Sequence, residues 1–221
     1  MKKTDLFDYF NNNQRGVISK WEHYFPIYES HFSRFRGKSP KILEIGVFHG
    51  GSLQMWKEYF GHGCKIYGLD IEPRCKSLEE EDIEIFIGSQ TDRTFLKDIK
   101  NKIGLVDILI DDGGHTMEQQ ITTYEELFSL VSDNGVYLCE DLHTSYWSDW
   151  GGGLKKSNTF IEYSKNFIDY INSHHWRETT VVDGKPFANS VKSISYYDSV
   201  LVIEKQQKLP LISRMTGTWS W

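Results

Sequence analysis

The 221-residue chain carries 25 Lys and Arg against 31 Asp and Glu, a net charge of −6, which disfavours nucleic acid as its main partner. Its three cysteines, Cys64, Cys75 and Cys139, are odd in number and lack C-x-x-C spacing, so neither a disulfide framework nor a zinc site is indicated and a reducing cytoplasm suits them. No stretch approaches the roughly 18 apolar residues of a membrane span, and the start at Met1-Lys2-Lys3-Thr4-Asp5 meets an acidic amphipathic segment instead of a signal peptide's apolar core.

Leu6, Tyr9 and Phe10, then Trp21, Tyr24, Phe25, Tyr28, Phe32 and Phe35 recur at helical spacing. They predict two helices split near Asn11-Asn12-Asn13, with Pro26 marking a kink or restart in the second. An apolar stripe is usually packing, so these aromatics are read as capping the core, although Lys20, Trp21, His23 and Tyr24 form a suggestive cluster.

Lys41 to Val47 is a short apolar strand interrupted by Glu44, followed by Phe48-His49-Gly50-Gly51-Ser52 and a helical pattern from Leu53 to Phe60. Strand, glycine turn and helix form the first βα unit of a nucleotide-binding sheet, although G-x-x-x-G-G departs from the dinucleotide fingerprint G-x-G-x-x-G. A second strand, Lys65 to Asp70, ends in an acid placed to accept both ribose hydroxyls of a nucleoside; the alternative is a turn or capping residue. The acidic run 79 to 82 reads as a solvated loop. Ile83 to Ile87 alternates as a strand and leads to Gly88-Ser89-Gln90-Thr91-Asp92, where Ser89 and Gln90 can meet the base and Thr91 or Asp92 can cap the helix through Phe95, Leu96 and Ile99.

The centre of the chain is Val106-Asp107-Ile108-Leu109-Ile110-Asp111-Asp112-Gly113-Gly114-His115. The apolar run predicts a strand buried on both faces, and it ends in two carboxylates, two glycines and a histidine. Carboxyl ends of strands are where open parallel sheets bind ligands. A helix over Met117 to Leu130, a turn at Asp133-Asn134-Gly135 and a strand over Val136 to Cys139 lead to a second acidic tip, Glu140-Asp141. Tyr146, Trp147, Trp150 and Gly151-Gly152-Gly153 suggest an aromatic loop, mobile over the same edge, or else a plain surface loop. A helix follows from about Thr159 to Ser173. The adjacent His174 and His175 cannot share one helix face and are read as surface residues. Ser193 to Tyr197 and Ser199 to Glu204 then pair as an antiparallel hairpin, and residues 206 to 221 form a tail in which Trp219 and Trp221 point to a docked or oligomeric end.

Asp112, His115, Glu140 and Asp141 thus bring three carboxylates and an imidazole to neighbouring strand tips. Few hard oxygen ligands, with room for water and substrate oxygens, suit Mg²⁺. A bound cation lowers the pKa of a coordinated hydroxyl, and a histidine can remove its proton. Taken with Glu44-Ile45-Gly46, Gly50-Gly51-Ser52, Asp70, Gly88-Ser89-Gln90 and the closing hairpin, this set resembles class I S-adenosylmethionine-dependent methyltransferases. The nearest likeness is to the metal-dependent macrolide-sugar O-methyltransferases, whose pattern Lys20-Trp21-x-His23-Tyr24 and Leu53-x-Met55-Trp56-x-x-Tyr59-Phe60 also resemble; the likeness covers roughly residues 20 to 205. Gly113-Gly114 stands where a glycine–serine pair is more familiar.

The resemblance implies an α/β, Rossmann-like doubly wound sheet, mostly parallel, with a C-terminal antiparallel hairpin and an N-terminal helical extension. It implies a helical cap over 1–38, the methyltransferase domain over 39–205 and a tail over 206–221. Glu44 and the turn through Gly46, Gly50 and Ser52 would cradle the methionine part of S-adenosyl-L-methionine, Asp70 the ribose, and Ser89 and Gln90 the adenine. Asp112, Glu140 and Asp141 would hold Mg²⁺, His115 would be the general base, and Asp111 would support cofactor and metal. The activity implied is O-methylation of a sugar or glycoside hydroxyl by a cytoplasmic enzyme that could be a homo-oligomer. Its alternatives are another acceptor, such as a nucleotide-linked or phosphorylated sugar, an amine or a phenol, and a non-catalytic cofactor-binding module.

Overall fold

The computed structural model describes residues 5–177 and 183–220; the Met1 to Thr4 start and Trp221 lie outside the described residues. Two helices, α1 (Asp5–Asn11) and α2 (Phe25–Phe32), precede the first strand. Then β1 (Lys41–Ile45), α3 (Gly51–Phe60), β2 (Lys65–Asp70), β3 (Ile83–Ile87), α4 (Arg93–Ile103), β4 (Val106–Asp111), α5 (Met117–Leu127) and β5 (Val131–Cys139) follow. Short helices α6 (Phe160–Ser164), α7 (Asn166–Ile171) and α8 (Lys185–Ser190) lead to the hairpin β6 (Val191–Tyr197) and β7 (Val200–Lys205).

The seven strands form one sheet in the order β3-β2-β1-β4-β5-β7-β6. The first five pair in parallel, and β7 runs antiparallel to both neighbours. Alternation of side chains gives the sheet two apolar faces. Ile42, Ile108, Ile110, Val136 and Leu138 face the side covered by α1, α2 and α3, with Trp56, Phe25 and Phe32 buried there. Leu43, Ile45, Leu109, Tyr137 and Cys139 face the side covered by α4, α5, α6 and α7, where Tyr124, Phe160 and Phe167 pack. The fold is therefore the doubly wound, mostly parallel sheet with its antiparallel hairpin that the alternation of strands and helices predicted. The chain reverses direction across the sheet between β1 and β4, which sets the carboxyl tips of these two strands side by side at the switch point.

Several local expectations are corrected. The helix expected to reach Leu130 ends its α-helical part at Leu127 and closes with one 3-10 turn, Phe128–Leu130. The chain enters β5 directly at Val131, so Asp133-Asn134-Gly135 is an irregularity inside the strand: the β4 partners step from Val106 to Ile108 while those on β5 step from Val131 to Val136. Asn134 takes the positive φ that this bulge demands. The helix expected over Thr159 to Ser173 is broken at Lys165 into α6 and α7 and ends in a 3-10 turn. Within residues 142 to 158, 3-10 turns span Leu142–Tyr146 and Ser148–Trp150, Leu142, Thr144 and Ser145 are buried, and the Thr144 hydroxyl donates to the His115 carbonyl at 2.7 Å, while Tyr146, Trp147 and Leu154 are exposed. Pro26 restarts the chain as expected, sitting in the first turn of α2 after a 3-10 turn over Glu22–Tyr24. In the tail, Leu209, Ile212, Met215 and Trp219 are exposed, so Trp219 does not dock within the chain. Among the described residues no helix is long and apolar enough to cross a membrane.

Candidate active site

The tips of β1, β2 and β4 open into a cleft of about 780 Å³ lined by Gly46, Asp70, Gln90, Asp112, His115 and Asp141, among others. Gly46 follows β1 with φ of 93°, and a Cβ there would stand 2.1 Å from the Asp112 carbonyl oxygen. Only glycine lets the β1 turn approach the β4 tip this closely. Gly50 also has positive φ and caps α3. Asp70 anchors the same turn: Oδ2 accepts from the Val47 and Phe48 amides at 2.8 and 2.9 Å, and Oδ1 from the Glu72 amide. Asp70 thus takes the turn role weighed for it while also lining the cleft.

Glu44 is fully buried behind the cleft-lining Ser52, whose hydroxyl it accepts at Oε2, 2.9 Å away. Burial raises its carboxyl to about 7, with Lys20 pulling the other way. Gln90 braces the β4 loop: its amide donates to Asp111 Oδ1 and Thr123 Oγ1 at 3.2 and 3.1 Å, and Oε1 accepts from the Gly114 amide at 2.7 Å. A Cβ at Gly113 would meet Gln90 Oε1 at 2.1 Å, so Gly113 makes room for this brace, while one at Gly114 would meet the Gln119 side-chain amide at 2.1 Å. Ser89 bonds with Thr91 at 2.9 Å, and Asp92 caps α4. Asp111 is buried, and burial raises it to about 7 against the Gly113 amide and Gln90.

Asp112, His115 and Asp141 offer ligand atoms that all lie within 4.8 Å of one another. His115 Nε2 stands 3.4 Å from Asp141 Oδ2 and 3.9 Å from Asp112 Oδ1. Burial lowers the His115 pKa although both carboxylates act to raise it, so the imidazole is neutral near pH 7 and can accept a proton. Carboxylate oxygens beside an imidazole, open to a water-sized space, fit a small divalent cation. Phe48, His115 and Asp141 hold left-handed backbone with φ of 52°, 56° and 56°, conformations that only surrounding structure maintains at residues other than glycine.

Glu140 is turned from this trio. It is fully buried, with Oε1 accepting the Tyr28 hydroxyl at 2.7 Å and Oε2 accepting Lys20 Nζ at 2.9 Å. Burial pushes its pKa upward, and Lys20 and Tyr28 oppose that. Tyr24 donates to Asp141 Oδ1 at 2.7 Å. The reading of the N-terminal aromatics as core alone therefore fails at Tyr24 and Tyr28, whose rings pack and whose hydroxyls hold the acids. No helical spacing of Lys20, Tyr24 and Tyr28 marks them, since Lys20 precedes the 3-10 turn over Glu22–Tyr24 and α2 begins only at Phe25.

No family model matches the sequence. The chain is 34% identical over 195 residues to the 8-demethyl-8-(2-methoxy-alpha-L-rhamnosyl)-tetracenomycin-C 3'-O-methyltransferase of Streptomyces olivaceus, covering 84% of this chain and 50% of that protein. It is 39% identical over 160 residues to the mycinamicin VI 2''-O-methyltransferase of Micromonospora griseorubida, covering 67% of this chain and 40% of that protein. The structure of the MycE methyltransferase from the mycinamycin biosynthetic pathway in complex with Mg, SAH and mycinamycin VI superposes with a TM-score of 0.82 at 30% identity, covering 93% of this chain and 54% of that one. The chain spans about half the length of the curated relatives it matches.

Proposed function

We propose that this chain, a homologue of the sugar O-methyltransferases that act on macrolide and tetracenomycin glycosides, transfers a methyl group from S-adenosyl-L-methionine to a hydroxyl of a sugar or glycoside with the help of Mg²⁺. The observation that carries this reading is the Asp112, His115 and Asp141 cluster opening onto the same cleft as Gly46 and Asp70. The cofactor would be held by the turn through Gly46 and Ser52, by Asp70 and by Ser89, which line the cleft, with Glu44, Gly50, Gln90 and Asp111 bracing those walls. Asp112 and Asp141 would hold the metal, while Glu140, expected as a third carboxylate, has both oxygens engaged by Tyr28 and Lys20 and stands behind Asp112.

When bound, Mg²⁺ supplies a Lewis acid that acidifies a coordinated hydroxyl, and the cofactor supplies an electrophilic methyl. The chain's residues do the rest. Neutral His115 takes the hydroxyl proton at Nε2, and the imidazolium so formed faces two carboxylates that stabilise it. The rigid β1 and β4 tips hold the reacting groups in line, an effect worth several kcal/mol in well-oriented reactions, roughly 7–11 at most. Trp150, whose ring centroid lies 6.0 Å from that of His115, helps wall the proton transfer from solvent.

Isothermal titration of the purified protein with S-adenosylhomocysteine, with and without Mg²⁺, followed by a glycoside screen with labelled methyl donor, tests the proposal. Saturable binding and metal-dependent transfer support it. Absence of cofactor binding under both conditions overturns it, and tight binding without transfer or metal effect favours a non-catalytic module.

A further inference from the structure

Each acid of the cluster has two oxygens, and the structure divides them by direction. Asp141 gives Oδ1 to the Tyr24 hydroxyl and turns Oδ2 toward His115. Asp112 gives Oδ2 to Lys20 Nζ and turns Oδ1 toward His115. Glu140 gives one oxygen to Tyr28 and the other to Lys20. The hydrogen-bond partners of these oxygens come from residues 20 to 28, ahead of the first strand, while His143 Nδ1 stands 3.9 Å from Asp141 Oδ1. Lys20 is the only cation among them: its side chain is 2% exposed, and its ammonium also lies 3.8 Å from Glu44 Oε1, an oxygen that is buried with no hydrogen-bond partner.

Buried Glu140 and partly buried Asp112 meet at one ammonium, and without that cation two carboxylates so close in a medium of low polarity repel one another and splay. Lys20 does not compete for the space between Asp112, His115 and Asp141, because it binds the oxygen of Asp112 that faces away from His115. We propose that Lys20 is a positioning residue of the metal site: from behind, it ties Asp112 to Glu140 and so fixes the rotation that turns Asp112 Oδ1 toward His115, with Tyr24 doing the same for Asp141. This rests on the metal reading above and extends it to a segment outside the sheet. Outer partners of metal ligands of this kind are typically worth about 10- to 100-fold in metal affinity.

The test is Mn²⁺ binding to the full chain, followed by the EPR signal of the free ion, with S-adenosylhomocysteine binding measured separately without metal. Lys20→Met is expected to weaken Mn²⁺ by about 10-fold or more and metal-free cofactor binding by less, since Lys20 reaches the cofactor wall only through Glu44, a split that general loss of structure would not give. Lys20→Arg, which keeps the charge, should recover part of the loss. If Lys20→Met does not fold, Tyr24→Phe, which removes one hydroxyl, must weaken Mn²⁺ severalfold. A folded Lys20→Met protein that binds Mn²⁺ as tightly as wild type overturns the role of Lys20 alone. Wild-type protein without saturable Mn²⁺ binding overturns the metal reading, and Lys20's part with it.

Discussion

The Tyr24 hydroxyl lies 2.7 Å from Oδ1 of Asp141 while Oδ2 of the same carboxylate lies 3.4 Å from His115 Nε2. A residue ahead of the first strand thus fixes the rotation of an acid at the tip of the fifth, and so decides which oxygen faces the imidazole. The site is an assembly of the N-terminal segment with the sheet edge, and its behaviour under substitution follows from that.

Asp141→Ala removes the oxygen that faces His115 and the acceptor for Tyr24 together. Metal-dependent methyl transfer should fall at least about 100-fold, the scale on which lost metal ligation or its support is felt. Labelled transfer with and without added Mg²⁺ checks this; undiminished, metal-independent turnover would refute the metal assignment.

His115→Gln keeps a polar side chain but no base. Turnover should drop by about 10²- to 10⁴-fold, with Mn²⁺ affinity changed far less. Because burial lowers the His115 pKa, the wild-type rate should be flat through neutral pH and decline only on the acid side, as the imidazole takes a proton below its ordinary value near 6.5. An inflection above pH 7 that survives the substitution would assign the base elsewhere.

Gly46→Ala places a methyl 2.1 Å from the Asp112 carbonyl oxygen on a backbone with φ of 93°. Both effects act in the same direction, and a loss of about 2 kcal/mol or more in urea unfolding is expected. Because the clash falls on Asp112, metal binding should weaken as well; a variant as stable as wild type would show that the turn relaxes freely.

Glu204 makes a prediction far from the cleft. Burial acts to raise its carboxyl, but hydrogen bonds from Lys192, His31 and Arg34 win and hold it at about 2. A depressed folded-state pKa stabilises the protein at pH values above the unfolded carboxyl value, near 4.5, and that contribution disappears as pH falls from there toward 2. Glu204→Gln should therefore cost stability at pH 7 and much less at pH 2 to 3, read from denaturant midpoints at each pH.

Much of this was legible in the chain. An unbroken apolar run closing on Asp111-Asp112 and another closing on Glu140-Asp141 can only be buried strands with polar tips, and the short gap at Asp198-Ser199 leaves a hairpin as the sole pairing. The directions of side chains were not legible. Tyr24 and Tyr28 belong to an aromatic stripe indistinguishable from packing, because ring and hydroxyl serve different neighbours and only the ring obeys hydrophobic periodicity. Gln90 follows a strand as a ligand-binding residue would, yet its amide is spent on Asp111, Thr123 and Gly114. Asn134 looked like the end of a helix because a bulge and a turn use the same residues.

The left-handed backbone at Phe48, His115 and Asp141 has a consequence for directed evolution. Each such residue costs on the order of 1–3 kcal/mol, so the three together weigh heavily against a typical net stability of about 5–15 kcal/mol. A library of this chain screened only for heat resistance should accumulate glycine or asparagine at these positions, and at 115 and 141 the hardier proteins would be the ones that have stopped transferring methyl groups.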